Sequence, residues 1–158
     1  MAACSRRMSE GRDVTRVMQP LVKPLATYQA YRIEKTSTNR LVVVFDPLAE
    51  GVSFIHCVEI WDEGGAQPPN MHENAEEIFF ILKGEAVAHC DGQSFALRAG
   101  DSFLAPRGKT HQIVNTGPGR LYALCTMIPN DGFAELIRQG VPAELDDEDV
   151  AVLRRLDR

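Results

Sequence analysis

Most of this chain is organised by short runs of β-branched and aromatic residues, with no helical stripe among them. From Tyr28 onward the runs are Tyr28–Ile33, Arg40–Phe45, Ser53–Trp61, Glu77–Leu82, Glu85–Cys90, Ser94–Leu97, Thr110–Val114 and Arg120–Met127. Their lengths and residue types predict strands. Nine of the 12 glycines fall between Gly51 and Gly119, and Gly84, Gly92, Gly100 and Gly108 recur every eight residues. That spacing predicts an all-β antiparallel sandwich or barrel. The Asp91-Gly92 pair between two of the runs is a hairpin signal. After Asp131 the period changes, with Phe133, Leu136 and Ile137 at helical spacing and Gly140 then Pro142 closing the segment. A second short helix is predicted from Asp146, with Asp147, Glu148 and Asp149 in its first turn and Arg154 and Arg155 in its last, matching the helix dipole. Residues 1–19 are polar, mixed in charge and aperiodic, so they read as a disordered tail. The expected organisation is that tail, a barrel over 20–130 and a helical extension over 131–158.

Composition narrows the function. The chain has 158 residues, 44% of them hydrophobic and 25% charged, enough apolar mass for one sizeable core. Seventeen Lys+Arg against 22 Asp+Glu give a formal net charge of -5, which offers no general attraction to phosphate backbones and makes nucleic acid an unexpected partner. The longest apolar stretches, Leu41–Phe45 and Ile78–Leu82, are far below the ~20 residues of a bilayer span, so no membrane partner is expected. The basic start of the chain is followed by polar residues where a secretory signal would be apolar, and a cytoplasmic location is expected. Cys4, Cys57, Cys90 and Cys125 are scattered, without CxxC spacing, and read as reduced thiols.

The candidate chemistry lies where a polar stretch, residues 64–77, runs directly into a hydrophobic strand. On that strand Glu77, Phe79 and Ile81 share one face while Ile78 and Phe80 share the other, so both faces are expected to be largely buried. Glu77 is then a carboxylate at the mouth of a core, a position made tolerable by a metal ion with neighbouring imidazoles. His72 in the preceding loop and His111 at the start of a later strand supply two. Two imidazoles and one carboxylate bind Fe(II), and also Mn, Ni or Zn, on one face and leave positions open for substrate or oxygen.

At this point the chain resembles the cupin superfamily. Gly64, five residues, Asn70, Met71, His72, four residues, Glu77, six residues and Gly84 follow that family's first motif at every position but one. Gly100, five residues, Pro106, Arg107, Gly108, two residues, His111, three residues and Asn115 follow its second throughout. The segment between the motifs, Glu85 to Ala99, is 15 residues long and fits the hairpin. The resemblance implies a conical antiparallel β-barrel, a double-stranded β-helix or jelly roll, with His72, Glu77 and His111 as ligands to an internal metal. The departure is Asn70, which stands where the family's first histidine usually stands. Its carbonyl oxygen can coordinate as a harder, weaker donor, or its amide can hydrogen-bond a metal-bound water, and this set leans towards Fe(II) or Mn(II).

Other residues have two readings each. His56 either faces inward as a replacement ligand or is a hydrogen-bonded strand histidine, and His89 is expected at the surface. Trp61, Phe79, Ile81, Ile113 and Tyr122 either line a cavity above the metal or are plain core. Arg107 and Lys109 either draw an anionic substrate or form a solvated turn. The expected functions are a small Fe(II)- or Mn(II)-dependent oxygenase-like enzyme acting on a small organic molecule with vicinal oxygens, a redox-neutral lyase or isomerase, and a non-catalytic ligand-binding barrel. Outward apolar positions such as Ile78 and Phe80 lead to the expectation of a homodimer.

Overall fold

A computed structural model describes residues 19–155, and the expected tail, Gln19 apart, lies outside the described residues. Ten strands are present among them: β1 (Gln29–Arg32), β2 (Asn39–Phe45), β3 (Ile55–Trp61), β4 (Glu76–Lys83), β5 (Glu85–Cys90), β6 (Gln93–Arg98), β7 (Ser102–Ala105), β8 (His111–Asn115), β9 (Leu121–Ile128) and β10 (Val141–Ala143). Three short α-helices accompany them, α1 (Pro47–Glu50), α2 (Phe133–Arg138) and α3 (Asp147–Leu153), with one 3-10 turn at Leu25–Thr27. All strand pairs are antiparallel. A seven-stranded sheet in the order β10-β1-β2-β3-β9-β4-β7 faces a three-stranded sheet in the order β6-β5-β8. The two share one core that joins Phe79 and Ile81 of β4, Ala86 and Ala88 of β5, Leu97 of β6 and Ile113 of β8. This is the expected jelly-roll barrel.

Each run of the sequence became a strand, and two further strands formed. β7 is only four residues between Gly100 and Pro106, and it is held by β4 through the pairs Ile78↔Leu104 and Phe79↔Phe103. β10 contains Pro142, which reads as a helix terminator in the chain but sits at a sheet edge opposite Tyr31, where a missing N–H is tolerated. The expected last turn of the final helix differs too, since α3 closes at Leu153 with Arg154 as its cap and holds no basic residue in that turn.

β2 is buried on both faces because the large sheet is covered twice. Leu41 and Val43 point into the barrel core, while Val42 and Val44 join Val58, Ile60, Tyr122 and Val152 in a second cluster under α3. α3 is anchored there by Asp149, fully buried, which accepts both terminal nitrogens of Arg40, the Tyr122 hydroxyl at 2.9 Å and Arg120 at 3.1 Å. β4, by contrast, alternates strictly. Glu77, Phe79 and Ile81 are buried, whereas Ile78 and Phe80 are each 41% exposed, so the expectation of two buried faces is corrected: no element among the described residues covers the outer side of β4. At the β4–β5 turn Gly84 has φ +97°, and a Cβ there would lie 3.1 Å from the Arg120 carbonyl oxygen, so both conformation and space require glycine.

Candidate metal centre

The barrel brings His72, Glu77 and His111 together. Glu77 is the second residue of β4 and points inward, His111 opens β8, and His72 lies in the loop before β4. One donor atom from each lies within 4.8 Å of the other two. Glu77 Oε2 is 2.8 Å from His111 Nε2 and 3.4 Å from His72 Nε2, while its Oε1 accepts the Cys125 thiol at 3.0 Å. The motif loops are stitched by backbone: Gly108 N–H donates to the His72 carbonyl, and Asn70 and His111 exchange hydrogen bonds of 3.0 and 2.8 Å. His111 Nδ1 lies 3.2 Å from the Lys109 carbonyl, which as an N–H donor fixes the ring and leaves Nε2 to the cluster.

The electrostatics favour an ionised carboxylate. Burial pushes the Glu77 carboxyl up, but hydrogen bonds from His111, His72 and Cys125 outweigh it and bring it down to about 2. Burial lowers His111, and the hydrogen bond and charge of Glu77 more than reverse this, so its imidazolium is held above the ordinary value. A cation is therefore welcome at the point where Glu77 and His111 meet. Two imidazoles and a carboxylate are a donor set for a divalent transition ion, and a further feature fits one: Asn70 Oδ1 is buried without a hydrogen-bond partner, while its amide nitrogen donates to the Pro68 carbonyl. Such an orphaned acceptor is costly unless something on the site fills it.

The cluster opens into a cavity of about 560 Å³. Its walls come from His72, Glu77 and Asn70, from Asn39, Leu41 and Glu59 of β2 and β3, from Gln67 and Gln112, and from Phe133 and Leu136 of α2. None of Trp61, Phe79, Ile81, Ile113 and Tyr122 lines it. All five are core, and Tyr122 lies on the far side of the sheet. Arg107 and Lys109 pair with Glu76 and Asp91 on the surface. His56 is bonded to Thr126 Oγ1 at 2.7 Å, and His89, exposed, to Ser94. Asn115 pins the end of β8 by donating to the carbonyls of Asp62 and Gly119.

Glu59 and Gln67 are the wall residues that sequence reasoning missed. Glu59 is 3% exposed and accepts Asn39 Nδ2. Burial first, then the charge of Glu77, push its carboxyl up to about 8 against that hydrogen bond. Its signal was present: in the run Ile55–Trp61 strict alternation puts Glu59 on the same face as Cys57 and Trp61, hence inward.

Fold and cluster together define a jelly-roll barrel with a candidate mononuclear metal centre. Residues 57–127 match the family model of the cupin domain. It is 40% identical over 57 residues to the oxalate-binding protein of Thermotoga maritima, a match covering 36% of this chain and 47% of that protein. It is 36% identical over 67 residues to oxalate oxidase 1 of Hordeum vulgare, covering 37% and 33%. The matches thus span half or less of these relatives. A crystal structure of a predicted oxalate decarboxylase from Thermotoga maritima superposes with a TM-score of 0.60 at 24% identity, covering 69% of this chain and 99% of that one, a likeness of fold. Among the described residues no helix is long and apolar enough to cross a membrane.

Proposed function

We propose that this chain is a metal-dependent cupin in which His72, Glu77 and His111 hold one divalent ion, with the Asn70 carbonyl oxygen as a weaker fourth donor. The observation that carries the reading is the meeting of three donor atoms within 4.8 Å, two of them from His72 and Glu77 on the wall of a cavity. With an amide oxygen in place of a third imidazole, the set leans towards Fe(II) or Mn(II) over Zn or Ni. Such an ion supplies Lewis acidity and a redox couple at the cavity wall. The chain's own part is to hold Glu77 ionised, to turn His111 Nε2 inward and to enclose a small organic ligand whose adjacent oxygens complete the coordination. The names of the relatives, an oxalate-binding protein and oxalate oxidases, support a carboxylate as that ligand and an oxygenase-like reaction.

A second reading, a binding barrel without turnover, is favoured by Asn70 standing in place of an imidazole and by the non-enzymatic name of the first relative. Metal analysis of protein purified without an affinity metal, followed by oxygen-consumption assays, separates the readings. Near-stoichiometric iron or manganese that disappears in both His72→Ala and His111→Ala, with oxygen uptake, is expected. Zinc or nickel without oxygen uptake overturns the oxygenase reading in favour of lyase or isomerase chemistry. A site that stays empty after anaerobic Fe(II) or Mn(II) addition overturns the metal reading. The exposed outer face of β4 supports a homodimer as the working assembly.

A further inference from the structure

The relatives' names point to oxalate, yet the cavity is built for something else. At about 560 Å³ it falls in the ~300–1,000 Å³ range of pockets that enclose much larger molecules than two joined carboxylates. Its charge is also wrong for a small dianion. Among the described residues no Lys or Arg lines it, whereas Glu34, Glu59 and Glu77 do. A divalent ion held by Glu77 and two neutral imidazoles leaves about one net positive charge at the cluster, enough to balance one carboxylate in a partly enclosed space.

The wall beyond the cluster carries hydrogen-bonding capacity that protein groups leave unused, most plainly the buried Gln67 Oε1. Glu59 Oε1 accepts Asn39 Nδ2 at 2.5 Å, and Asn39 is the hydrogen-bond partner of this carboxyl, so Oε2 remains for a ligand. Gln67 is 6% exposed, its side-chain Oε1 is buried without a partner, and it lines the same cavity. Buried polar groups are normally paired, and here the missing partners belong on a ligand. Resting on the metal reading above, we infer that the cavity selects a monoanionic hydroxycarboxylate longer than oxalate. Its carboxylate end meets the ion, and its hydroxyl-bearing tail exchanges hydrogen bonds with Glu59 and Gln67. Glu59 lines the cavity with Oε2 left over from its bond to Asn39, so it meets a tail hydroxyl, and a second carboxylate on the tail would lie beside the carboxyls of Glu59 and Glu34 with no Lys or Arg on the described lining to offset it.

The test is calorimetric titration of the Mn(II)-loaded full chain with glycolate, D-gluconate, D-glucarate and oxalate. Gluconate and glucarate differ in the charge of the far end, and gluconate and glycolate in the tail. Gluconate is expected to bind roughly tenfold more tightly than each of the other three, the difference of one or two good hydrogen bonds. Glu59→Gln, which keeps a neutral donor and acceptor, is expected to stay within a factor of about three of the parent for gluconate. Glu59→Leu and Gln67→Leu are expected to lose roughly tenfold while glycolate affinity and manganese content are unchanged, which shows a folded, loaded site. Gluconate no tighter than glucarate, oxalate tighter than gluconate, or a Glu59→Leu protein with undiminished gluconate affinity overturns the ligand class and leaves the metal reading standing. Failure of the parent to retain Mn(II) overturns both.

Discussion

Glu77 remains a carboxylate where burial alone would protonate it, and three donors account for that: His111, His72 and the Cys125 thiol. The same contacts create a competition. In the metal-free protein a proton shared between Glu77 and His111 holds the cluster together, and an incoming ion must displace it. Because His111 is held above its ordinary value, the proton is bound below that raised value and lost above it, so Mn(II) affinity is expected to climb as pH rises from about 6 to about 8. Competition with a fluorescent chelator measures this, and a pH-independent affinity in that interval would count against the His111 assignment. Asn70 sets the strength of the site. Replacing its carbonyl oxygen by an imidazole in Asn70→His is expected to tighten metal binding by roughly tenfold, and an unchanged affinity would mean that Asn70 Oδ1 does not face the ion. The cluster itself was legible because the spacing of His72, Glu77 and His111 follows motif positions. Glu59 and Gln67 were not read, since their role comes from strand pairing and loop closure that bring residues 39, 59, 67 and 112 to one wall.

At the scale of elements, local chemistry explains the hairpins, and tertiary packing explains the rest. Asp91-Gly92 closes β5 onto β6 as its dipeptide predicts, with Asp91 at φ +50° and Gly92 at +78°. β10 could not be read, because Val-Pro-Ala becomes a strand only by docking on β1. α3 was legible as a helix, and its acidic first turn reads as dipole and cap chemistry, which Asp146 and Asp149 perform as a reciprocal capping box. Asp149 also has a task that no helix rule contains, receiving Arg40 from β2. Asp149→Ala leaves the Arg40 guanidinium buried at 6% side-chain exposure without its partner, and is expected to destabilise the protein by about 3–5 kcal/mol. Chemical denaturation measures it. A loss below about 1 kcal/mol would show α3 to be dispensable to the barrel.

For the whole molecule, stability and assembly follow from the same two faces of the large sheet. On the inner face burial and the charge of Glu77 push the Glu59 carboxyl up to about 8, against 4.5 for an ordinary glutamate. Its folded value is the raised one, so the stabilisation is complete below about 4.5 and is lost as pH rises through about 8. Across that interval the metal-free protein is expected to lose up to about 1.4 kcal/mol per pH unit from this group. Glu59→Gln is expected to flatten the slope in urea titrations, and a slope equal to the parent's would place the titration elsewhere. On the outer face Ile78, Phe80, Leu82, Leu104 and Ile128 are each 38–54% exposed, and the pairs Ile78↔Leu104 and Glu76↔Ile128 make them neighbours across β7, β4 and β9. A homodimer covering this surface is expected by light scattering at micromolar concentration. Phe80→Lys should shift it to monomer, and a monomeric parent would remove the proposal.

The cavity has two origins along the chain. Every residue of the metal cluster falls within the stretch 57–127 that matches the cupin domain, but Ile33, Asn39, Leu41, Phe133 and Leu136 of the wall fall outside it. Binding of the ion is thus written within that stretch alone, whereas the wall that meets the ligand is shared between it, through Glu59 and Gln67, and the segments on either side. Exchanging the segments before residue 42 and after residue 132 for those of another barrel would reshape one side of the guest's chamber while leaving the ion, Glu59 and Gln67 in place.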